Sequence, residues 1–148
     1  MPELTDSSIH LMVTSPPYPM IKMWDNQFAT INPQIATLWQ KLETNGEEET
    51  ITQIYDAMHE TLARTWHETY RVLTDGGIAC INIGDATRTV NGKFRLFPNH
   101  SRIIEQCEKQ GSSLYPTYCG KSPLPNRNTK EKVHSSAQAS CLPTLMSP

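Results

Sequence analysis

The chain has 148 residues, of which 37% are hydrophobic and 19% are charged, and its formal net charge is −2. This length supports one domain with a sizeable core and is too short for two domains of ordinary size. No apolar run approaches the ~18 residues that a membrane span needs, and the amino terminus does not resemble a signal peptide, so we expect a soluble, cytoplasmic protein.

The first predicted element is a strand that ends in a proline loop. Residues 9–14 (IHLMVT) form a short apolar and β-branched run, which is typical of a buried strand. In residues 15–20 (SPPYPM) three prolines surround a tyrosine, and proline fixes φ and lacks an amide hydrogen, so neither strand nor helix continues here. The loop therefore lies where open α/β sheets bind their ligands, although an ordinary proline-rich turn fits the same residues.

A long helix is the clearest element in the middle of the chain. Residues 21–46 show no sustained period, and we expect a long loop there with one helical turn near residues 33–42. Apolar side chains then recur at helical spacing from Ile51 to Leu73 and form one stripe. The pattern predicts a helix whose apolar face packs on a core.

The ends of this helix carry recognisable signals. Thr50 and Gln53 fit a capping box at its start, and Gly76 and Gly77 can supply the left-handed residue that ends a helix. Residues 78–83 (IACINI) then predict a second buried strand. Because strand, helix and strand form a βαβ unit, the two strands are expected to be parallel neighbours with a right-handed crossover.

Shorter elements are predicted after the second strand. Residues 86–98 are expected to form a polar loop, and residues 99–110 a shorter helix that Asn99 or Ser101 caps. Residues 114–119 are expected to begin a third strand.

The end of the chain differs in composition from the rest. From residue 120 onward periodicity is lost, and Ser, Pro, Thr, Lys and Asn dominate. Such a composition does not bury enough apolar surface to offset the entropy of ordering. We therefore expect a folded part at residues 1–119, and at 120–148 a tail that is poorly ordered or arises from a shift of reading frame near residue 116.

Cysteines and histidines show no spacing typical of a metal site. The four cysteines are widely separated and include no C-x-x-C pair. The motif H-E-x-x-H is also absent, because the fourth residue after His59 is Ala63. We expect free thiols and no bound metal.

Charge is distributed unevenly along the chain. Residues 1–75 carry four basic and eleven acidic side chains, whereas residues 76–148 carry nine basic and four acidic ones. A basic half can face the phosphates of nucleic acid, and Arg88, Lys93 and Arg95 are the candidate nucleic-acid-binding residues. A solvated surface is the simpler interpretation of the same imbalance.

Several motifs together resemble the amino-methylating DNA methyltransferases. Residues 14–18 (TSPPY) match that family's [S/N/D]-P-P-[Y/F/W] loop, and residues 71–77 (RVLTDGG) follow at the appropriate distance. Residues 84–100 (GDATRTVNGKFRLFPNH) resemble the permuted subgroup, in which the catalytic loop precedes the cofactor motif. The resemblance implies an α/β fold, namely a partial Rossmann-like methyltransferase fold with parallel strands, crossover helices and an incomplete sheet.

The resemblance also implies a catalytic role for the proline loop. The exocyclic amine of a base is a poor nucleophile, since its lone pair is delocalised into the ring, so fixed acceptors must hold its hydrogens out of plane. In this family such acceptors correspond here to Ser15 Oγ and the Pro16 carbonyl, with Pro17 adding rigidity. Tyr18 is implied to stack on a target base flipped out of double-stranded DNA. Serine rather than aspartate at position 15 favours cytosine N4, and adenine N6 stays open.

S-adenosylmethionine is the methyl donor that the resemblance implies, with Thr14 and Ser15 as its contacts in this chain. The family holds this cofactor through a glycine-rich loop, which in the permuted subgroup lies near the carboxyl terminus, and this sequence contains no G-x-G. The chain therefore resembles an amino-terminal fragment that requires a complementing segment for activity. A catalytically dead, nucleic-acid-binding remnant is the alternative.

Overall fold

The fold combines strands and helices over residues 1–115 and 118–121, which are the residues that the computed structural model describes. A four-stranded sheet has the order β1-β2-β6-β5, and β3 and β4 form a separate hairpin. The strands are β1 (Ile9–Thr14), β2 (Leu73–Ile81), β3 (Ala86–Val90), β4 (Lys93–Phe97), β5 (Ser112–Tyr115) and β6 (Tyr118–Lys121). The helices are α1 (Asp25–Ile31), α2 (Pro33–Asn45), α3 (Glu48–Val72) and α4 (Asn99–Lys109), with a 3-10 turn at Lys22–Trp24.

Strands β1 and β2 are parallel neighbours, as the βαβ pattern predicts. Val13 lies opposite Cys80 and Thr14 opposite Ile81. Helix α3 precedes β2 and connects it to the earlier part of the chain. The remaining pairs, β2 with β6 and β5 with β6, are antiparallel, so the sheet is mixed and the predicted α/β class is confirmed.

The predicted capping box at the start of α3 is wrong. The helix begins at Glu48, and the side chain of the preceding Glu47 makes no capping hydrogen bond. Thr50 is buried inside the first turn and its Oγ1 has no partner among the described residues. Instead, the negative charges of Glu48 and Glu49 in that turn interact favourably with the positive end of the helix dipole.

The glycines that were expected to end α3 lie inside β2. The helix passes into the strand directly at Leu73. Gly76 has φ of 77°, and the pairing of β1 with β2 shifts register between Ile9 and Leu11. A Cβ on Gly77 would lie 2.8 Å from the Thr74 carbonyl oxygen. Glycine is therefore required here for a bulge in the strand and not for a helix end.

Two segments that were predicted to be loops are regular. Within residues 21–46 the structure has the complete helix α2 where one helical turn was expected, and helix α1 precedes it. Asn32 caps α2, since its side chain accepts from the Gln34 amide at 3.2 Å, and Pro33 occupies the first turn. Residues 86–98 contain the β3–β4 hairpin, whose turn residues Asn91 and Gly92 have φ of 52° and 74°. That pair is the usual sequence of a type I′ turn.

Helix α4 matches its predicted range but not its predicted cap. Neither Asn99 nor Ser101 caps it; Asp85 Oδ1 accepts from the His100 amide at 3.2 Å. The strand expected at residues 114–119 is replaced by the two strands β5 and β6. The predictions for residues 122–148 lie outside the described residues. No helix of the described part is long and apolar enough to cross a membrane.

The apolar core lies on one face of the sheet, around α3. Its buried side chains are Ile54, Met58, Leu62 and Trp66 of α3, packed with Phe28, Ile35 and Ile103 of the other helices. Side chains of β1 alternate between the two faces: Met12 packs on this core, whereas Leu11 and Val13 are 57% and 72% exposed. Among the described residues, the opposite face of the sheet is therefore apolar and exposed at β1.

Candidate functional site

The proline loop leaves the sheet beside the segment that follows β2. Because β1 and β2 are parallel, their carboxyl ends lie at the same edge, and the Asn82 amide donates to the Thr14 carbonyl at 2.9 Å. The loop then turns sharply, with the Ile21 amide donating to the Tyr18 carbonyl at 3.2 Å. Met20 has φ of 66° and is buried, with its amide 3.4 Å from Met58 Sδ. The loop is therefore anchored at both ends.

Ser15 and Tyr18, two of the predicted catalytic residues, lie together in this loop. Ser15 Oγ is 3.4 Å from Tyr18 Oη, within hydrogen-bonding distance. Ser15 is exposed, Pro17 and Tyr18 are half-buried, and Pro16 is buried. Ser15 is thus accessible to solvent and Tyr18 partly so, while the buried Pro16 fixes the backbone between them.

The ring of Tyr18 lies against the turn after β2. A Cβ on Gly84 would approach Tyr18 Cε2 to 3.3 Å, which is tighter than ordinary van der Waals contact. Glycine at this position lets the ring pack on the backbone. The next residue, Asp85, accepts from His100, with Asp85 Oδ1 2.6 Å from His100 Nδ1. This hydrogen bond holds the pKa of Asp85 below its usual range.

A buried carboxamide, which sequence reasoning assigned only to a cap, joins the loop to this turn. Asn99 Nδ2 donates to the Pro19 carbonyl and to the Gly84 carbonyl, both at 3.1 Å. Its Oδ1 lies 3.0 Å from Nε2 of His59. Both side chains are buried, with 0% and 1% of their surface exposed. The one sequence signal was that His59 falls on the apolar stripe of α3.

His59 is neutral at physiological pH. Burial lowers the pKa of His59 to about 4, and the hydrogen bond to Asn99 opposes this shift only in part. Since both Nδ2 hydrogens of Asn99 go to carbonyls, its Oδ1 has to accept from His59. The hydrogen-bond network therefore assigns the ring proton to Nε2 and leaves Nδ1 unprotonated, without a partner in the described part of the chain.

The predicted nucleic-acid-binding residues lie on the β3–β4 hairpin and pair with acidic side chains. Arg88 makes two hydrogen bonds to Asp25, at 2.9 and 2.7 Å, and its guanidinium carbon lies 4.4 Å from the Trp39 ring centroid. Lys93 and Arg95 both contact Glu48, at 3.1 and 2.8 Å. The hydrogen bond from Lys93 is the main cause that lowers the pKa of Glu48.

No group of three or more metal-ligating side chains occurs within residues 1–115 and 118–121. Thr14 lies half-buried at the end of β1, next to the exposed Ser15, and its carbonyl is occupied by Asn82. These two consecutive residues lie at the carboxyl end of β1, which is the first strand in the order of the described sheet.

Comparison with known sequences identifies relatives along most of the chain. A family model described as DNA methylase matches residues 9–138. Type II methyltransferase M.MjaI from Methanocaldococcus jannaschii is 56% identical over 127 residues, which cover 83% of this chain and 42% of the relative. Type II methyltransferase M.MthZI from Methanothermobacter thermautotrophicus is 47% identical over 116 residues, which cover 78% of this chain and 31% of the relative. The chain thus spans less than half the length of these curated relatives.

Solved structures share the fold. TTHA0409 from Thermus thermophilus, described as a DNA modification methylase, superposes in its S-adenosyl-L-methionine complex with a TM-score of 0.57 and 24% identity. That match covers 87% of this chain and 54% of the other. A second structure of the same protein gives a TM-score of 0.55 and 23% identity, again over 87% of this chain.

Proposed function

The chain belongs to the DNA methylase family of N6 and N4 methyltransferases, and on that premise we propose that it carries the catalytic loop of a site-specific, S-adenosylmethionine-dependent DNA methyltransferase. The acceptor is the exocyclic amine of cytosine N4, with adenine N6 as the alternative. One observation supports this most: Ser15 and Tyr18 lie together on a proline loop at the carboxyl end of a parallel strand.

The proposed chemistry assigns one role to each group of the loop. S-adenosylmethionine, when bound, supplies an electrophilic methyl group. Ser15 Oγ and the Pro16 carbonyl would accept the two amino hydrogens of the target base and keep its nitrogen lone pair out of the ring plane. The amine would gain the methyl group, the sulfur would keep the electrons of the broken methyl–sulfur bond, and one amino proton would pass through these acceptors to solvent. The gain comes from orientation and fixed electrostatics, because the loop is already anchored before the base arrives.

Tyr18 is proposed to stack on the extruded base. The target amine is reached only when the base leaves the double helix, which costs a few kcal/mol. Stacking on an aromatic ring returns ~1–3 kcal/mol. A half-buried ring that packs on Gly84 is held in one orientation, and this lowers the entropy lost when the base arrives.

Cofactor binding is proposed to require a complementing segment. We propose that Thr14 and Ser15, at the carboxyl end of β1, contact the cofactor, and the described residues provide no glycine-rich cradle for the remainder of it. Leu11 and Val13 expose an apolar surface on that same edge strand. Exposed apolar edge strands readily pair with other chains or segments, and we propose that the complementing segment covers this one.

We propose that Lys93 and Arg95 leave Glu48 when DNA binds and contact DNA phosphates instead. Both side chains contact that single exposed carboxylate, and exposed ion pairs contribute little stability. Arg88 is held more firmly, since it pairs with Asp25 where both side chains are only 18% exposed. We therefore expect its contribution to DNA binding to be smaller.

Complementation tests this proposal. The chain is combined with the part of the Methanocaldococcus relative that it does not match, and cofactor binding is measured by calorimetry together with methyl transfer to plasmid DNA. We expect the chain alone to bind no S-adenosylmethionine and the combination to bind it and methylate DNA. Nucleoside analysis of the product then distinguishes N4-methylcytosine from N6-methyladenine.

A variant of the exposed face tests whether the complementing segment binds there. Val13→Asp places a charge on that surface without touching the core, because Val13 is 72% exposed. We expect it to abolish complementation while the chain stays folded. Cofactor binding by the chain alone, or the absence of methyl transfer by the native combination, would contradict the proposal.

A further inference from the structure

We propose that Asn99 is a positioning residue that fixes the proline loop relative to the turn after β2. This inference rests on the proposed function for its catalytic meaning, but its structural content is independent of any methyl transfer. Asn99 is 80 residues from Pro19 and 15 from Gly84 in the chain, yet its carboxamide donates to both carbonyls. One side chain thereby links Pro19 to Gly84 beyond the point at which the pairing of β1 with β2 ends.

Both carbonyls belong to segments next to Tyr18. The Pro19 carbonyl belongs to the residue directly after Tyr18, and Gly84 is the residue whose backbone lies against Tyr18 Cε2. A shift of either segment changes the space available to the ring. Because Asn99 is 0% exposed, water does not replace its two hydrogen bonds without opening of the core. One carboxamide therefore ties the residue after Tyr18 to the glycine on which the Tyr18 ring packs.

His59 completes the hydrogen bonds of that carboxamide. An asparagine side chain can turn over and exchange its oxygen and nitrogen positions. Here the carbonyls of Pro19 and Gly84 require the nitrogen, so the oxygen faces Nε2 of His59 at 3.0 Å and accepts from it. The ring of His59 is itself held by an edge-on contact with Tyr55, with centroids 4.6 Å apart. Tyr55 thus contacts His59, His59 contacts Asn99, and Asn99 contacts the proline loop.

The environment of His59 keeps this arrangement in one protonation state. The charged groups near the imidazole are Arg102 on α4 and Asp56 on α3, and they oppose each other's effect. Arg102 and Asp56 also form an ion pair with each other. When the ring is neutral, the oxygen of Asn99 accepts one hydrogen bond from His59 and its nitrogen donates one to each of the two carbonyls. Both amide hydrogens of Asn99 therefore have an acceptor.

Gln106 provides a matched control for the experiment. It carries the same carboxamide on the same helix, and its Nε2 donates to the His59 carbonyl at 3.0 Å. It makes no hydrogen bond to the proline loop or to Gly84. Loss of its side-chain bond weakens the packing of α4 on α3 but leaves the positioning contacts intact. A merely structural role of Asn99 predicts the same outcome for both residues.

Amide hydrogen exchange of the 148-residue chain, followed by NMR, tests the positioning role directly. In Asn99→Ala and Asn99→Asp we expect the Met20 and Ile21 amides to exchange about tenfold faster or more, beyond any change in global stability. In Gln106→Met we expect their exchange to change only as global stability does. Equal acceleration in the Asn99 and Gln106 variants would overturn the proposal.

A measurement on the native chain covers the case in which the Asn99 variants do not fold. We expect two slowly exchanging carboxamide protons on Asn99 and an imidazole proton on Nε2 of His59. Rapid exchange of those carboxamide protons, or a proton on Nδ1, would overturn the proposal without any substitution.

The complemented enzyme provides the catalytic readout. We expect Asn99→Asp to lower kcat about tenfold or more while KM for S-adenosylmethionine stays unchanged, since the residue touches neither cofactor nor base. If the complemented enzyme with the native Asn99 also transfers no methyl group, the proposed function fails. The hydrogen-exchange result still decides the positioning role. A folded Asn99→Asp enzyme with the native kcat would overturn the positioning role of Asn99 and leave the proposed function intact.

Discussion

Replacement of Ser15 by alanine is expected to slow methyl transfer by the complemented enzyme on the order of 100-fold, as does loss of one preorganised hydrogen bond at other reacting centres. Ser15 Oγ is exposed at the end of β1 and its only described side-chain partner is Tyr18 Oη. In the proposed mechanism this oxygen accepts an amino hydrogen of the base. The rate is measured in a single turnover with saturating cofactor and DNA, so that binding does not limit it.

Ser8→Ala is the matched control for this prediction. Ser8 is also exposed, and its hydroxyl donates to the Thr5 carbonyl before β1 begins. We expect the control to transfer methyl groups at the native rate and Ser15→Ala to bind DNA with native affinity. An equal single-turnover rate for Ser15→Ala and the native enzyme would remove the serine from the mechanism.

The free energy of unfolding is expected to decrease by about 3 kcal/mol as the pH falls from about 6.5 to about 4, because of His59. The folded protein keeps this imidazole neutral until its pKa of about 4, whereas the unfolded chain takes up the proton near 6.5. In that window the unfolded state binds more protons, so stability is lost as the pH falls. Below about 4 the contribution of His59 is fully lost. Urea denaturation at a series of pH values measures the slope.

Two substitutions on α3 separate this effect from general acid denaturation. His59→Gln retains an amide that can donate to Asn99, and we expect it to flatten the slope between pH 6.5 and 4. His67→Gln removes an exposed histidine from the same helix and controls for the loss of a histidine side chain on α3. Carboxylates such as Glu68, whose pKa is lowered to about 2 by hydrogen bonds from Arg71, lose their contribution only below pH 4.5. A native slope in His59→Gln would contradict the buried neutral state.

Periodicity predicted the elements that pack on the core, but not where they end. The apolar stripe from Ile51 to Leu73 identified α3, and the run at residues 9–14 identified β1. The boundary after α3 was misjudged because Gly76 and Gly77 serve a bulge in β2, and a glycine pair is equally typical of a helix end. Local chemistry alone does not distinguish the two, since the bulge exists only when β1 lies alongside.

The β3–β4 hairpin was missed for a different reason. Its strands are short and place charged side chains on the half-buried face, so that the alternation of apolar residues is weak. Arg88 is accommodated there by Asp25 and Trp39, which lie 63 and 49 residues away in the chain. The Asn91-Gly92 turn was the stronger signal, and it predicts a hairpin even where the strands themselves look polar.

The candidate site was predictable where one short motif supplies it. Ser15 and Tyr18 are three residues apart, and the proline loop brings them together by local geometry. Asn99 and His59 are separated by 40 residues from each other, and their contact depends on the packing of α4 on α3. A buried polar network of this kind becomes visible only when the hydrogen bonds of every buried polar atom are traced.

The stacking role of Tyr18 is tested most directly by the catalytic efficiency of two variants in the complemented enzyme. We predict that Tyr18→Ala lowers kcat/KM for DNA roughly 5- to 150-fold, which corresponds to the loss of one base stack, while Tyr18→Phe, which keeps the ring, stays close to the native value. If alanine at position 18 supports the same kcat/KM as phenylalanine, no base is held against this loop, and the account fails.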